Sequence, residues 1–348
     1  MKKRIIIAVC ALLVIALLFV FFTALVMPKY TDSKQIEGRL IGEYYEEAGG
    51  HDVLFVGDCE VYESFVPAIL WEKYGISSYV RGSPQQLVWQ SYYLLEEMFK
   101  YENPKAVVFN VLALKYGEPR DEAMNRMTLD GMKWSSSKRK AIRASMTEGE
   151  KLADYMIPIL RYHSRITELT WDDFKYVFKK PDRVSDSGYL MNVGVKPTPE
   201  YYIGMAGDPL YDYTLPARAM EYLDMMKNLC REKGCELVLV KAPTNSVMYY
   251  WYDEWDEQIC DYAEKNGLAY YNLIDECDNI GIDWNTDTYD MGAHLNVYGA
   301  EKTSAYFGKI LSVNHGIADR RGESDIAAKW QERLNAYYAR KKEMESKQ

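Results

Sequence analysis

Histidine is scarce in this chain, four in 348 residues, and no two of the six cysteines stand at Cys-x-x-Cys spacing. His51, His163, His294 and His315 are not grouped with Cys10, Cys59, Cys230, Cys235, Cys260 or Cys277, so no metal site and no cofactor are expected. Positive charge is in deficit: 42 Lys and Arg stand against 51 Asp and Glu. Beyond residue 28 the balance is 39 against 51, a net charge of −12. Such acidity argues against nucleic acid as a partner and against broad binding of an anionic polymer by charge alone. A local basic groove stays compatible with it. Five cysteines lie outside the N-terminal apolar run, an odd number, so at least one is outside any intrachain disulfide. Cys230 and Cys235 flank a helix end, and the sequence leaves open a local disulfide or two free thiols. Tyrosine is abundant at 30 residues, as strand and core packing or as sugar-stacking platforms.

Only one stretch is long and free of charge. Ile5 to Met27 is an apolar run of 23 residues behind Lys2, Lys3 and Arg4. A membrane-spanning helix needs about 20 such residues. A cleaved signal peptide has a shorter apolar core of roughly 7–15 residues and a small-residue cleavage site, and Thr23-Ala-Leu-Val-Met27 is a poor one. The expectation is an uncleaved single-pass anchor in the cell membrane. The basic flank keeps the N-terminus cytoplasmic and the remaining chain extracytoplasmic.

The rest alternates between short apolar runs and helical periods. Val53–Val56, Ile76–Val80, Ala106–Leu112, Leu237–Val240 and Ala269–Leu273 read as strands. Phe65–Tyr74, Leu87–Tyr101, Ala217–Lys233, Asp253–Lys265 and Val297–Ser312 read as helices, several stopped by Gly or Asn-Pro. Five strands separated by helices predict an α/β domain with a five-stranded parallel sheet covered on both faces. The expected division is 1–28 as anchor, 29–114 with 217–315 as the α/β domain, 115–216 as an inserted helical cap over the sheet edge, and 316–348 as a charged helical tail. Within the insertion, Arg161-Tyr162-His163-Ser164-Arg165 reads as a cationic clamp or as a solvated helix face. The tail reads as an amphipathic helix that packs on the domain or makes a contact; no repeat or low-complexity tract accompanies it.

Two segments carry the chemistry. Val53-Leu-Phe-Val-Gly57-Asp58-Cys59 is a buried strand ending in a tight turn, with a thiol where a helix begins. Asp290-Met-Gly-Ala-His294-Leu-Asn296 supplies a carboxylate and an imidazole four residues apart, which would be neighbours on a helical turn. A nucleophile, a base and an orienter are what covalent acyl chemistry requires. In open parallel sheets, sites form beyond the carboxyl ends of the strands. Cys59, Gly82, Asn110, Asp290 and His294 all fall there, as do Lys241 and Asn245.

Gly57-Asp58-Cys59 resembles the Gly-Asp-Ser block of the SGNH/GDSL hydrolase superfamily, with Cys in place of Ser. Gly82, Asn110 and His294 resemble the residues of its second, third and last blocks. The anchor and the His294-Leu-Asn-x-x-Gly-Ala ending look like the branch holding the teichoic acid D-alanyl transfer protein, with the alginate O-acetyltransferase-like proteins as a neighbouring branch. The likeness covers about 53–112 and 217–312. It implies a flavodoxin-like three-layer sandwich with an insertion after the third strand, and an acyltransferase or esterase acting on cell-envelope polymers. A membrane-bound O-acyltransferase would be the partner and an acylated carrier or envelope polymer the substrate.

The same resemblance implies roles. Cys59 is the nucleophile, its thiolate favoured at a helix N-terminus; His294 is the base and Asp290 its orienter, with Asp287 in reserve. The backbone of Cys59, the backbone of Gly82 and the Asn110 amide hold the oxyanion. Read from the residues themselves, Asp58 and Glu60 are turn and helix-start residues, and Asn296 supports the His294 loop. The Cys at the nucleophile position motivates a second expectation: a catalytically weak accessory protein of the same fold that binds a polymer or a membrane partner.

Overall fold

The apolar runs become one sheet. In the computed structural model, which describes residues 1–29, 37–180, 182–199, 210–245, 251 and 253–348, the strands are β1 (Val53–Gly57), β2 (Ser78–Gly82), β3 (Ala106–Asn110), β4 (Glu236–Lys241) and β5 (Ala269–Asn272). All pair in parallel, in the order β2-β1-β3-β4-β5. β1 and β3 are buried throughout. That is why they read as continuous apolar runs and not as alternating ones.

Alternate residues of a strand feed opposite cores. Leu54 and Val56 pack with the helices Val88–Met98, Ala217–Lys233 and Asp253–Asn266. Val53 and Phe55 pack with Cys59–Ser64, Pro67–Tyr74 and Val297–Asn314. Helices therefore cover both faces, and every strand feeds its carboxyl end to the same edge.

β2 begins two residues later than its apolar run and continues through Arg81 to Gly82. The buried Arg81 is tolerated because Glu97 accepts from its guanidinium at 2.9 Å and the Tyr44 ring lies 4.4 Å from it. Gly82 is thus the last strand residue, paired in register with Gly57, rather than a loop residue beyond the strand. Tyr44 belongs to a further helix ahead of β1, Glu37–Glu47.

The insertion is not a single cap. Its helix Ser136–Ser145 packs on Val88–Met98, joined through Trp89, Gln90 and Ser145. Its short helices between Ile159 and Phe178 gather instead at the end of the N-terminal helix. Residues 183–199 run past β2, where Ser187 accepts from the Val80 backbone at 3.0 Å, and on to the loop before His294. Apart from a reciprocal Asp186–Tyr189 bridge, the backbone bonds of this stretch go mainly to other elements: β2, Glu43, Tyr62 and the 284–297 loop. Residues 200–209 of the insertion lie outside the described residues.

The C-terminal helix, Ser324–Glu345, docks on the domain. Trp330 stacks on Trp71 with centroids 5.5 Å apart, and Arg333 pairs with buried Glu47 at 2.7 Å. At the other end, Lys2–Val26 is one helix of 25 residues, long and apolar enough to cross a membrane. Its first twenty residues are exposed, and only Leu25 and Val26 are buried against the domain.

Candidate active site

The turn after β1 is built from three adjacent residues. A Cβ on Gly57 would lie 2.5 Å from the Val61 side chain and 2.9 Å from Asn110 Cβ, so only glycine fits between them. Asp58 caps the six-residue helix Cys59–Ser64, its carboxylate accepting from the Glu60 N–H at 3.2 Å. Cys59 is the first helical residue, with its thiol facing the sheet edge.

The Asp290–His294 segment arrives from the far end of the chain. It is not a helical turn: Met291 and Gly292 have φ of +71° and +107°, and Thr288 Oγ1 accepts from the Gly292 N–H at 2.7 Å. A side chain on Gly292 would collide with Asn245 and Thr198. The two left-handed positions fold the segment back, so that Asp290 takes both donors of His294. Its Oδ1 accepts from the His294 backbone N–H at 2.8 Å, and its Oδ2 lies 2.6 Å from Nδ1. His294 Nε2 in turn lies 3.1 Å from Cys59 Sγ. Asn296 anchors the segment: its carboxamide donates to the carbonyls of Gly194 and Thr286, and its oxygen caps the helix Val297–Asn314.

Electrostatics favour the imidazolium and disfavour the thiolate. Burial works against the charged ring, yet the carboxylate of Glu63, the Cys59 sulfur and Asp290 outweigh it and hold His294 well above its ordinary range. Burial also works against the Asp290 carboxylate, but the His294 ring and backbone outweigh it and keep that group below its usual value. Burial pushes the Cys59 thiol up to about 11, with His294 pulling the other way and Asp58 and Glu63 adding to the rise. Burial and the neighbouring carboxylates thus act against the thiolate that the helix terminus and His294 favour. A six-residue helix does not offset burial beside two carboxylates.

Two further expectations are corrected. Both hydrogens of the Asn110 amide are engaged below the turn, donated to Asp58 Oδ1 at 3.1 Å and to Glu60 Oε2 at 2.8 Å. Its oxygen accepts from the Ala242 N–H at 3.0 Å, and the side chain is fully buried. Asn110 holds the turn in place and is not an oxyanion donor. Asp287 is held by Lys302 at 2.6 Å and by the Asp283 backbone at 2.8 Å, so Asp290 alone of the two orients His294.

Beneath the turn lies a buried ionic cluster. Lys241 Nζ donates to both Glu60 oxygens, at 2.9 and 3.0 Å. Burial and the adjacent Glu60 charge push Asp58 up to about 7, with Lys241 and the Asn110 hydrogen bond opposing. Burial lowers Lys115 to about 8, with Glu60 opposing. Lys241 and Asn245 lie at this edge, where their positions at and after the end of β4 put them. Asn245 binds the His294 loop, its N–H donating to the Gly292 carbonyl at 2.8 Å.

Glu63 and Tyr289 were missed. Glu63 Oε2 lies 3.6 Å from His294 Nδ1, and Tyr289 donates to Glu63 Oε1 at 2.8 Å. The Tyr289 ring stacks on the imidazole, 15° from parallel with centroids 6.1 Å apart. The signal was available for Glu63: it follows Cys59 by four residues, one turn along the same helix face. His294 is 19% and Asp290 29% exposed, so the site opens to solvent along these two side chains.

All six cysteines are free, including Cys230 and Cys235. No group of metal-ligating side chains occurs among the described residues. No protein-family model matches the chain, and neither does any curated protein.

Proposed function

We propose that this chain is a membrane-anchored acyltransferase or esterase working through a Cys59–His294–Asp290 triad. The observation that carries the reading is the continuous contact from Asp290 through both nitrogens of His294 to the Cys59 sulfur. The sheet order and the helices on both faces support a flavodoxin-like three-layer arrangement of the SGNH kind.

In the reaction, His294 must first lose the second proton that Glu63 and Asp290 favour at rest; Asp290 then keeps the remaining proton on Nδ1, and the bare Nε2 takes the Cys59 proton. Because burial keeps the thiol protonated, deprotonation accompanies attack rather than preceding it. The sulfur bonds to the acyl carbon, the carbonyl oxygen gains charge, and the Cys59 N–H, in the first turn of its helix, is the backbone donor nearest to hand for it. Gly82, paired with Gly57, brings a second backbone N–H to the same turn. Collapse breaks the bond to the leaving alcohol, which takes the proton from His294. A second hydroxyl then gives its proton to His294, attacks the thioester and releases the thiol. A sugar or polyol hydroxyl gives transfer, and water gives hydrolysis.

An extracytoplasmic site on the N-terminal helix suits an acylated carrier or cell-envelope polymer as substrate, with a membrane-bound O-acyltransferase as donor partner. The test is release of p-nitrophenol from p-nitrophenyl acetate by the full chain in detergent. Turnover is lost in Cys59→Ala and in His294→Ala. The raised thiol supports a second reading, a catalytically weak accessory domain, and turnover equal in all three proteins selects it.

A further inference from the structure

The segment from Leu152 to Phe178 exposes more large apolar side chains than a water-facing surface carries without cause. Met156, Leu160, Ile166, Trp171, Phe174 and Phe178 all stand out, with Trp171 81% and Phe178 83% exposed. These are not scattered. The short helices from Ile159 to Phe178 gather around the last turns of Lys2–Val26, and Leu152–Met156 packs beside them.

The two parts are tied at the helix end. Arg165 donates to the Val26 carbonyl at 2.6 Å and to Asp173 at 3.0 Å. Lys29 donates to the Met27 carbonyl at 3.0 Å. Cations thus cap the negative end of the helix, as the dipole favours. Arg161 is held by Glu122 at 2.8 Å. Of the cationic stretch, Arg165 therefore holds the insertion to the anchor, while Arg161 pairs within the insertion itself.

Depth follows from helix geometry. The apolar run Ile5–Met27 is about 34 Å long at 1.5 Å per residue, against about 30 Å of hydrocarbon. Phe21 lies six residues inside Met27, about 9 Å along the axis. The Phe178 ring is 6.1 Å from the Phe21 ring. An aromatic at that level sits inside the boundary where the anchor leaves the bilayer. Trp171 and Phe174, 6.3 Å apart, lie on the same short helix. Lys175, Lys179 and Lys180 are exposed beside them; Lys180 pairs with Glu46 at 2.7 Å and Lys175 lies 3.6 Å from Asp172, so Lys179 is the one placed for an anionic headgroup.

We propose that residues 152–178 form an interfacial platform that seats the domain on the bilayer surface, with the aromatic side chains among the lipid chains and the adjoining Lys179 at the headgroups. This rests on Lys2–Val26 spanning the bilayer and is independent of any chemistry at Cys59. A domain held at two points cannot swing freely about its anchor, so its site keeps a fixed height above the membrane.

The test reconstitutes the full chain in vesicles of phosphatidylcholine and phosphatidylglycerol with brominated acyl chains. Tryptophan emission is compared with that of Trp171→Phe, which keeps an exposed aromatic and the parent circular dichroism. The platform predicts that brominated lipid quenches the parent and that the variant loses a quenched component. Equal quenching in both, with the chain resisting alkaline carbonate extraction, overturns the platform and leaves the anchor standing. Loss of the chain on extraction overturns the spanning premise and the platform with it. A photoreactive residue at position 171 that captures protein and not lipid in native membranes also overturns it.

Discussion

The Nε2 atom of His294 lies 3.1 Å from Cys59 Sγ across 235 residues of sequence, while Nδ1 of the same ring lies 2.6 Å from Asp290. One imidazole therefore has a dedicated acceptor on one side and a dedicated proton source on the other. Asp290→Asn keeps the backbone contact to His294 but offers a carboxamide to the ring. Loss of the correct tautomer lowers turnover by roughly 10²–10⁴. Steady-state kinetics with p-nitrophenyl acetate measure it; a loss below tenfold counts against Asp290 as orienter.

Glu63 sets the pH at which His294 becomes a base. Its negative charge, 3.6 Å from Nδ1, is foremost among the groups that raise the ring above its ordinary value. Removing the charge favours the neutral ring. In Glu63→Gln the rising limb of kcat/KM against pH moves to lower pH, because His294 loses its proton earlier. A limb that stays in place, in a protein with unchanged circular dichroism, removes Glu63 from the account. A purely structural role for Glu63 would change the plateau without moving the limb.

Asp58 makes stability depend on pH. Its carboxyl is pushed up to about 7 by burial and the Glu60 charge, from an unfolded value of ~3.9. The folded protein binds this proton more tightly, so the associated stability is complete below the unfolded value and is lost as pH rises through the folded one. Asp58→Asn keeps the helix cap and removes the titration. Urea midpoints at pH 4 and pH 8 should show the variant gaining on the parent at the higher pH. An equal difference at both values contradicts the buried, proton-holding Asp58.

Much of this was legible because parallel strands buried on both faces write themselves as apolar runs. Val53–Val56 and Ala106–Asn110 lie within stretches that could be read residue by residue. The Cys59, His294 and Asp290 segments were likewise visible from residue type and from their positions after strands. What was hidden depends on partners far away in sequence. Arg81 inside β2 makes sense only beside Glu97 and Tyr44. Asn110 at a strand end looks like an available amide until Asp58 and Glu60 are found taking both its hydrogens. The Asp290–His294 contact was expected from helical spacing but is made by a left-handed turn. The carboxylates that raise the thiol, Asp58 and Glu63, were adjacent in sequence; their burial was not readable there.

The Lys241–Glu60 pair holds the turn from below, with both side chains almost wholly buried. Lys241→Met leaves Glu60 charged without its closest cation and costs about 3–5 kcal/mol. Lys241→Met with Glu60→Gln removes both charges and recovers most of that loss. Denaturant unfolding of the two variants measures the difference. If the single variant is as stable as the double, the pair does not support the turn.

The most direct test of the triad is the covalent intermediate itself. The full chain is mixed with p-nitrophenyl acetate, quenched in acid and weighed intact, and the adduct is mapped by peptide. The account predicts one acetyl group on Cys59, released by neutral hydroxylamine as a thioester is, and absent from Cys59→Ala and His294→Ala. A folded parent chain that acquires no acetyl group on Cys59, or acquires it equally in His294→Ala, contradicts it.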